Sequence, residues 1–120
     1  MTYKRFEDIQ VWQDSRKFVS SVYDLIRSDN KFCKDFSLCD QLKRATYSIM
    51  LNIAEGFERR SKKEFANFLN IAKGSAGEVR SILYVVQDVY TVPKEKIDML
   101  NKQIIAISAQ LFWLRNYLLK

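Results

Sequence analysis

Three carboxylates in the middle of the chain are the residues best suited, by type and spacing, to do chemistry. Glu55, Glu64 and Glu78 could hold a hard cation or act as general acid and base. The chain contains no histidine, which excludes the Glu-x-x-His pairs of di-iron bundles, Ser-His and Cys-His nucleophiles, and ordinary zinc sites. Because each carboxylate also has a structural explanation, we expect no enzymatic activity, no metal and no other cofactor.

These structural explanations together predict a polar network. Glu55 closes a predicted helix, and Glu64 completes a capping box with Ser61 at the start of the next. Glu78 is expected in a buried network at the middle of that second helix. Asn52 falls on or beside an apolar row, where a polar side chain costs stability but can specify one packing register. The predicted network consists of Asn52, Glu55, Ser61, Glu64, Ser75 and Glu78.

The second candidate site is a cluster of positive charge between two predicted helices. Arg59, Arg60, Lys62 and Lys63 flank a helix N-terminus, where free amide groups attract anions such as phosphate. Glutamates are interleaved, so the stretch 55–64 has a net charge of only +1 (four cations minus three anions). A nucleic-acid site and an ordinary solvated loop are therefore both left open. The candidate extensions of the patch are Lys43, Arg44 and Lys73.

Four amphipathic segments must position these residues. Apolar residues at alternating steps of three and four predict four helices. Gly56 is expected to close the second helix in a left-handed conformation, and Ser37 with Asp40 is expected to cap its start. Pro93 suits the first turn of the fourth helix. The predicted helices, A to D in chain order, cover about residues 8–28, 38–56, 62–90 and 93–118.

The links between these helices are too short to cross a bundle. They predict an all-α, antiparallel up-down-up-down four-helix bundle that forms one domain over residues 1–120. Gly74 and Gly77 give helix C a small, polar middle, which predicts close helix approach, a bend, or a break at Gly77. Helix B is apolar around most of its circumference, which indicates a second covering surface and hence a homo-oligomer.

Composition limits the setting and the partners. The chain has 20 Lys and Arg against 14 Asp and Glu, a formal charge of +6 that favours acidic partners without identifying one. Cys33 and Cys39 follow no secretory signal, so free thiols in the cytoplasm are expected. The most apolar stretch, 104–114, is too short to span a bilayer, so we expect no membrane association.

Beyond these physical patterns, the chain resembles the small four-helix-bundle proteins encoded in intervening sequences of bacterial large-subunit rRNA genes. Its opening and central motifs carry the similarity, which covers most of the first 80 residues, while helix D matches only in pattern. The opening motif consists of Phe6, Ile9, Val11, Trp12 and Gln13. The central motifs are Gln41, Leu42, Arg44, Ala45, Ser48, Ile49, 52–56, Ser61, Glu64, Phe65, Leu69, Ile71, Ala72, Gly74, Ser75 and Glu78.

This resemblance implies an up-down bundle that assembles as a homopentamer, and it implies little chemistry. Relatives also include the accessory variability determinants of diversity-generating retroelements, which bind nucleic acid through a basic pentameric surface and resemble this chain in architecture only. Two hypotheses therefore remain: a module that binds RNA, or DNA, through the basic loop, and a scaffold that organises a protein partner.

Overall fold

Four long helices follow one another along the chain, separated by short connections. The structure is a computed structural model that describes residues 3–120. Short 3₁₀ turns precede the first and second helices, at Phe6–Asp8 and Phe32–Lys34. The four helices are α1 (Gln10–Arg27), α2 (Phe36–Glu58), α3 (Lys62–Val89) and α4 (Lys94–Leu118).

Each helix packs against its neighbours in the chain, and α4 returns to pack against α1. This arrangement confirms the predicted antiparallel up-down-up-down bundle. At 1.5 Å per residue a helix of 28 residues is about 42 Å long, in agreement with overall dimensions of 45 × 21 × 20 Å. No helix in the described part of the chain is long and apolar enough to cross a membrane.

The apolar rows that predicted the helices form the core. Phe18, Leu42, Leu69 and Leu111 are fully buried, one from each helix. Ser15 and Thr46 are buried polar residues, and each hydroxyl donates to the carbonyl oxygen four residues earlier, at 2.6 Å. These bonds satisfy the hydroxyl groups within their own helices, so the core carries no cost for them.

The end of α2 differs from the prediction. Gly56 was expected to end the helix with a positive φ, but α2 continues to Glu58 and Gly56 lies buried inside it. A Cβ atom added at Gly56 would lie 2.6 Å from the Cβ of Phe68 in α3. Gly56 therefore allows close packing of two helices rather than a turn. The left-handed residue is Arg60, with φ 59°.

The start of α2 also differs. Its N-cap is Asp35, whose Oδ1 accepts from the backbone N–H of Leu38 at 3.1 Å, so the capping role predicted for Ser37 was wrong. Asp35 caps the helix in place of Ser37 because α2 begins two residues earlier than predicted. Pro93 is the N-cap of α4 rather than a residue of its first turn, and its fixed φ of −59° still directs the chain into the helix.

The two glycines in the middle of α3 do not have the effects that the sequence predicted. The helix runs unbroken from Lys62 to Val89, so it does not break at Gly77. Gly74 and Gly77 are both exposed, and a Cβ atom added at either would meet no other atom within 4 Å. They permit no close helix approach within the described chain.

Candidate nucleic-acid interface at the α2–α3 connection

The basic cluster lies on a connection of three residues, 59–61, between α2 and α3. Ser61 has an extended backbone, and its Oγ accepts from the backbone N–H of Glu64 at 3.3 Å, which confirms the Ser61 half of the predicted capping box. The Glu64 carboxylate pairs with Arg59 and does not complete the box. Capping by Ser61 fixes the first turn of a 28-residue helix. The side chains of Lys62 and Lys63 therefore project from an ordered helix start rather than from a long loop.

Arg59 is neutralised by two glutamates. Its Nη2 donates to Glu55 Oε2 at 2.8 Å, and its Nη1 lies 3.6 Å from Glu64 Oε1. The hydrogen bond with Glu55 raises the pKa of the Arg59 guanidinium above its ordinary value. The Arg59 guanidinium also lies over the ring of Phe68, 5.0 Å from its centroid. Arg59 thus joins α2 to α3 more than it offers charge to a partner.

The other three cations of the cluster have no acidic partner in the part of the chain that the structure describes. Arg60, Lys62 and Lys63 are all exposed. The Arg60 guanidinium lies 4.9 Å from the centroid of the Phe57 ring, which holds it against the end of the bundle. The connection therefore has a neutralised side at Arg59 and a cationic side formed by the other three residues.

The candidate extensions of the patch do not lie beside this connection. Lys43 is 16 residues before Arg59 on the same helix, which corresponds to about 24 Å along the axis. Its Nζ lies over the Tyr23 ring, 4.9 Å from the centroid. Arg44 donates to Asp40 at 2.8 Å. Lys73 is 11 residues beyond the start of α3, about 16 Å along the axis.

Part of the predicted polar network is present between α2 and α3, with a centre that sequence reasoning missed. Ser48 Oγ lies 3.1 Å from Ser75 Oγ. Asn52 Nδ2 donates to the carbonyl oxygen of Ser48 at 2.8 Å and to its Oγ at 3.0 Å. Ser48 lies four residues before Asn52, a spacing that places both on one helix face and could have identified it.

Glu78 departs from its predicted role. It is exposed rather than buried, and the one hydrogen bond it makes among residues 3–120 is a long one of 3.4 Å from Gln41 Nε2. It lies at the rim of the seam between α2 and α3, whereas Ser75 lies inside it. Glu55 and Glu64 hold Arg59 instead of joining the buried network. The six predicted residues therefore form two separate groups along one seam.

The remaining chemistry in the described residues is structural. No group of three Cys, Asp or Glu residues within 3–120 is arranged to hold a metal ion. The one strongly perturbed group is Tyr90, whose hydroxyl donates to Asp35 Oδ2 at 2.6 Å; this bond raises the pKa of Tyr90 to about 12. The same bond, followed by that from Leu38, lowers the pKa of Asp35. Because Asp35 also caps α2, the pair joins two helix ends.

The fold and these surfaces define a class of protein, an antiparallel four-helix bundle with a basic connection between its second and third helices. A family model described as 23S rRNA-intervening sequence protein matches residues 7–112, and the chain belongs to this family. No curated protein matches the chain.

A solved structure has the same fold. It is a protein of unknown function from the S23 ribosomal protein family of Bacteroides thetaiotaomicron, 25% identical to this chain, with a TM-score of 0.80. The match covers 88% of this chain and 95% of that one. The resemblance seen in the sequence motifs is confirmed as membership of the intervening-sequence family.

Proposed function

We propose that this chain is a non-enzymatic, homo-oligomeric bundle protein that binds nucleic acid, RNA in preference to DNA, through the α2–α3 connection. The observation that carries the proposal is the cationic side of the connection. Arg60, Lys62 and Lys63 are exposed and have no acidic partner in residues 3–120, next to a helix start whose amide groups favour anions. Such contacts bind phosphate groups without reading base sequence.

Exposed apolar side chains support the oligomeric part of the proposal. They are concentrated on α3 and α4, where Tyr84 is 67% exposed and Trp113 is 69% exposed. Apolar surface gathered on adjacent helices is typical of an interface between proteins. A pentamer, which the family resemblance implies, would repeat the basic connection five times and multiply weak contacts along one strand.

Native mass spectrometry at micromolar concentration tests the assembly. We expect a single closed oligomer, most simply a pentamer. The substitution Trp113→Lys should reduce it to monomers without unfolding, because this side chain is largely exposed in the protomer. Wild-type protein that remains a clean monomer would contradict the oligomeric part of the proposal.

The salt dependence of binding tests the interface. Each phosphate neutralised contributes about −0.7 to −0.9 to the slope of log affinity against log salt concentration. The pair Lys62→Ala and Lys63→Ala should therefore flatten the slope by roughly 1.5 for each engaged subunit. The matched control is the pair Lys94→Ala and Lys96→Ala, which removes two lysines from the start of α4 and should leave the slope unchanged.

The decisive variant replaces all four cations of the cluster, 59, 60, 62 and 63, by alanine. If this variant folds and assembles normally yet keeps both affinity and salt slope, the connection is only a solvated link. Its circular dichroism and native mass must match those of the wild type for the comparison to hold. Replacing Arg59 should contribute little to the loss of affinity, because Glu55 and Glu64 already neutralise its charge.

A protein-interaction scaffold is the second candidate function, and one observation favours it. Trp113, Leu114 and Tyr117 border a cavity of 480 Å³ between the start of α1 and the end of α4, and most of the residues that line it are uncharged. Crosslinking in cells separates the two functions. Enrichment of RNA that depends on Lys62 and Lys63 supports nucleic-acid binding, whereas one recurrent protein partner lost with Trp113→Lys supports the scaffold.

A further inference from the structure

A small cavity opens at the end of the bundle, directly beside the basic connection. Its volume is 160 Å³, close to the roughly 150 Å³ of an engineered protein cavity that binds one benzene ring. It lies where the end of α2, the start of α3, the end of α4 and the N-terminal segment meet. The side chains that form it and matter below are Tyr3, Phe57, Arg60, Lys62, Phe65 and Leu118.

The walls of this cavity are apolar and mostly aromatic. The rings of Phe57 and Phe65 meet edge to face, with centroids 5.9 Å apart and an interplanar angle of 82°. Tyr3 is half-buried and packs against the core, and Leu118 closes the side formed by α4. A planar ring inserted here would meet aromatic and aliphatic surface on several sides, which favours a flat apolar group.

The rim of the cavity is cationic. Arg60 lies at one edge with its guanidinium over Phe57, and Lys62 lies at another. Neither has an acidic partner in residues 3–120, whereas Arg59 is turned toward Glu55 and Phe68 and does not line the cavity. A ligand that fits both parts must combine a flat ring with an attached anionic group.

We propose that this cavity holds one unpaired base of a single-stranded nucleic acid, with the adjacent phosphates against Arg60 and Lys62. The proposal rests on the proposed function and narrows its ligand from nucleic acid in general to a strand with unpaired bases. Bases of a duplex are stacked and paired and cannot enter, whereas unpaired bases stack readily on aromatic side chains and guanidinium groups. The basic connection would then position the sugar-phosphate backbone of the strand, while the cavity accepts one base of any type.

Three fluorescent probes with the same total number of phosphates test this inference by anisotropy; the duplex is therefore half as long as the two single strands. They are a single-stranded RNA, the same backbone with abasic sugars throughout, and a duplex. We expect the wild-type protein to bind the single strand about tenfold more tightly than the abasic strand, the effect of roughly one stacked base. The duplex should bind no better than the abasic strand at equal salt.

Two variants locate the effect in the cavity. Tyr3→Ala removes a wall, and Leu118→Phe fills the space; both should bring the single-strand preference below about threefold while binding of the abasic strand stays unchanged. The control is Phe36→Ala, an exposed aromatic residue at the start of α2 and at the opposite end of the bundle from the cavity, which should keep the full preference. Circular dichroism confirms that each variant is folded, and Tyr3→Ala carries the test if Leu118→Phe unfolds.

The outcomes separate the cavity from the proposed function. Salt-dependent binding that is equal for all three probes overturns the base site and leaves nucleic-acid binding by the connection intact. A preference that survives both cavity variants also overturns it, because the base then binds elsewhere. Failure to bind any of the probes overturns the proposed function and this inference with it.

Discussion

The seam between α2 and α3 is packed more closely than the seam between α1 and α4. Between α2 and α3, Gly56 lets the two helices approach closely, and the hydroxyl and amide groups of Ser48, Asn52 and Ser75 bond to one another. Between α1 and α4, Gln110 donates to Asp14 at 2.9 Å, but the Gln103 side chain donates to Ser21 at 3.3 Å and its buried Oε1 has no partner within residues 3–120. Cavities of 480, 180 and 90 Å³ follow this second seam.

The difference indicates a division of roles within one small bundle. The tight seam runs from the Asp35–Tyr90 bond at one end to the basic connection at the other, so it holds the connection in one geometry. The loose seam leaves apolar surface uncovered, including Trp113. Rigid support is what a binding surface requires, and uncovered apolar surface is what an assembling surface requires.

The largest expected effect breaks the tight seam at its closest point. Gly56→Ala introduces a methyl group 2.6 Å from the Phe68 Cβ, and that atom cannot move without moving α3. Overpacking of this kind costs about 1–3 kcal/mol, only partly offset by about 1 kcal/mol of improved helix propensity. We therefore expect the free energy of unfolding, measured in urea, to fall by up to about 2 kcal/mol.

The matched control is Gly77→Ala in α3. Its added Cβ meets no atom within 4 Å, so the same substitution should stabilise the fold by up to about 1 kcal/mol. Opposite signs for two glycine-to-alanine changes would establish that close packing decides the outcome at Gly56. If both changes stabilise the protein, the two helices do not approach as closely as the structure shows.

Gly56 also illustrates how far sequence alone reached. The apolar rows predicted four helices correctly because burial imposes the helical period on residue type over many turns. A single glycine carries no such redundancy: it suits a left-handed turn and a close helix contact equally well. Only the position of Phe68, 12 residues away in the chain and across the seam, distinguishes the two. The Ser61 cap was predictable because its partner lies three residues away.

A smaller effect is expected from substitutions of one polar residue in each seam. Asn52→Leu removes both hydrogen bonds to Ser48, and the loss of this member from the half-buried network should cost about 1 kcal/mol. Gln103→Leu removes a buried amide oxygen that has no partner in the described part of the chain, so it should be neutral or slightly stabilising. Urea unfolding of the two variants side by side measures the contrast. Equal losses would mean that the two seams are equally well satisfied.

The candidate site was less predictable than the fold for a related reason. The four cations of the cluster are equivalent in sequence, yet the structure neutralises Arg59 and leaves the others exposed. The spacing of Glu55 and Arg59, four residues apart on one helix, could have identified their pair. The cavity beside them could not have been identified, because Tyr3, Phe57 and Leu118 meet there from three distant parts of the chain.

The smallest expected effect comes from the Tyr90–Asp35 hydrogen bond, at the end of the tight seam opposite the basic connection, and it depends on pH. The Tyr90 hydroxyl donates to the Asp35 carboxylate, so the bond requires a protonated tyrosine and an ionised aspartate. Folding lowers the pKa of Asp35 below 3.8, so its contribution is complete above that pH and is lost as the pH falls further. Folding raises the pKa of Tyr90 from 10.0 to about 12, so its contribution is complete below pH 10 and is lost as the pH rises through 12.

Tyr90→Phe should therefore destabilise the protein by a constant amount between about pH 4 and pH 10, and the difference from wild type should shrink on both sides of that window. Urea unfolding at pH 3, 7 and 11 measures it. Tyr84→Phe, at an exposed tyrosine in α3, the helix that ends just before Tyr90, controls for the loss of a hydroxyl group and should change little at any pH. If the stability difference between Tyr90→Phe and wild type does not vary with pH, the contribution of the Tyr90 hydroxyl does not come from its bond to the ionised Asp35. The tight seam would then not include the N-cap of α2.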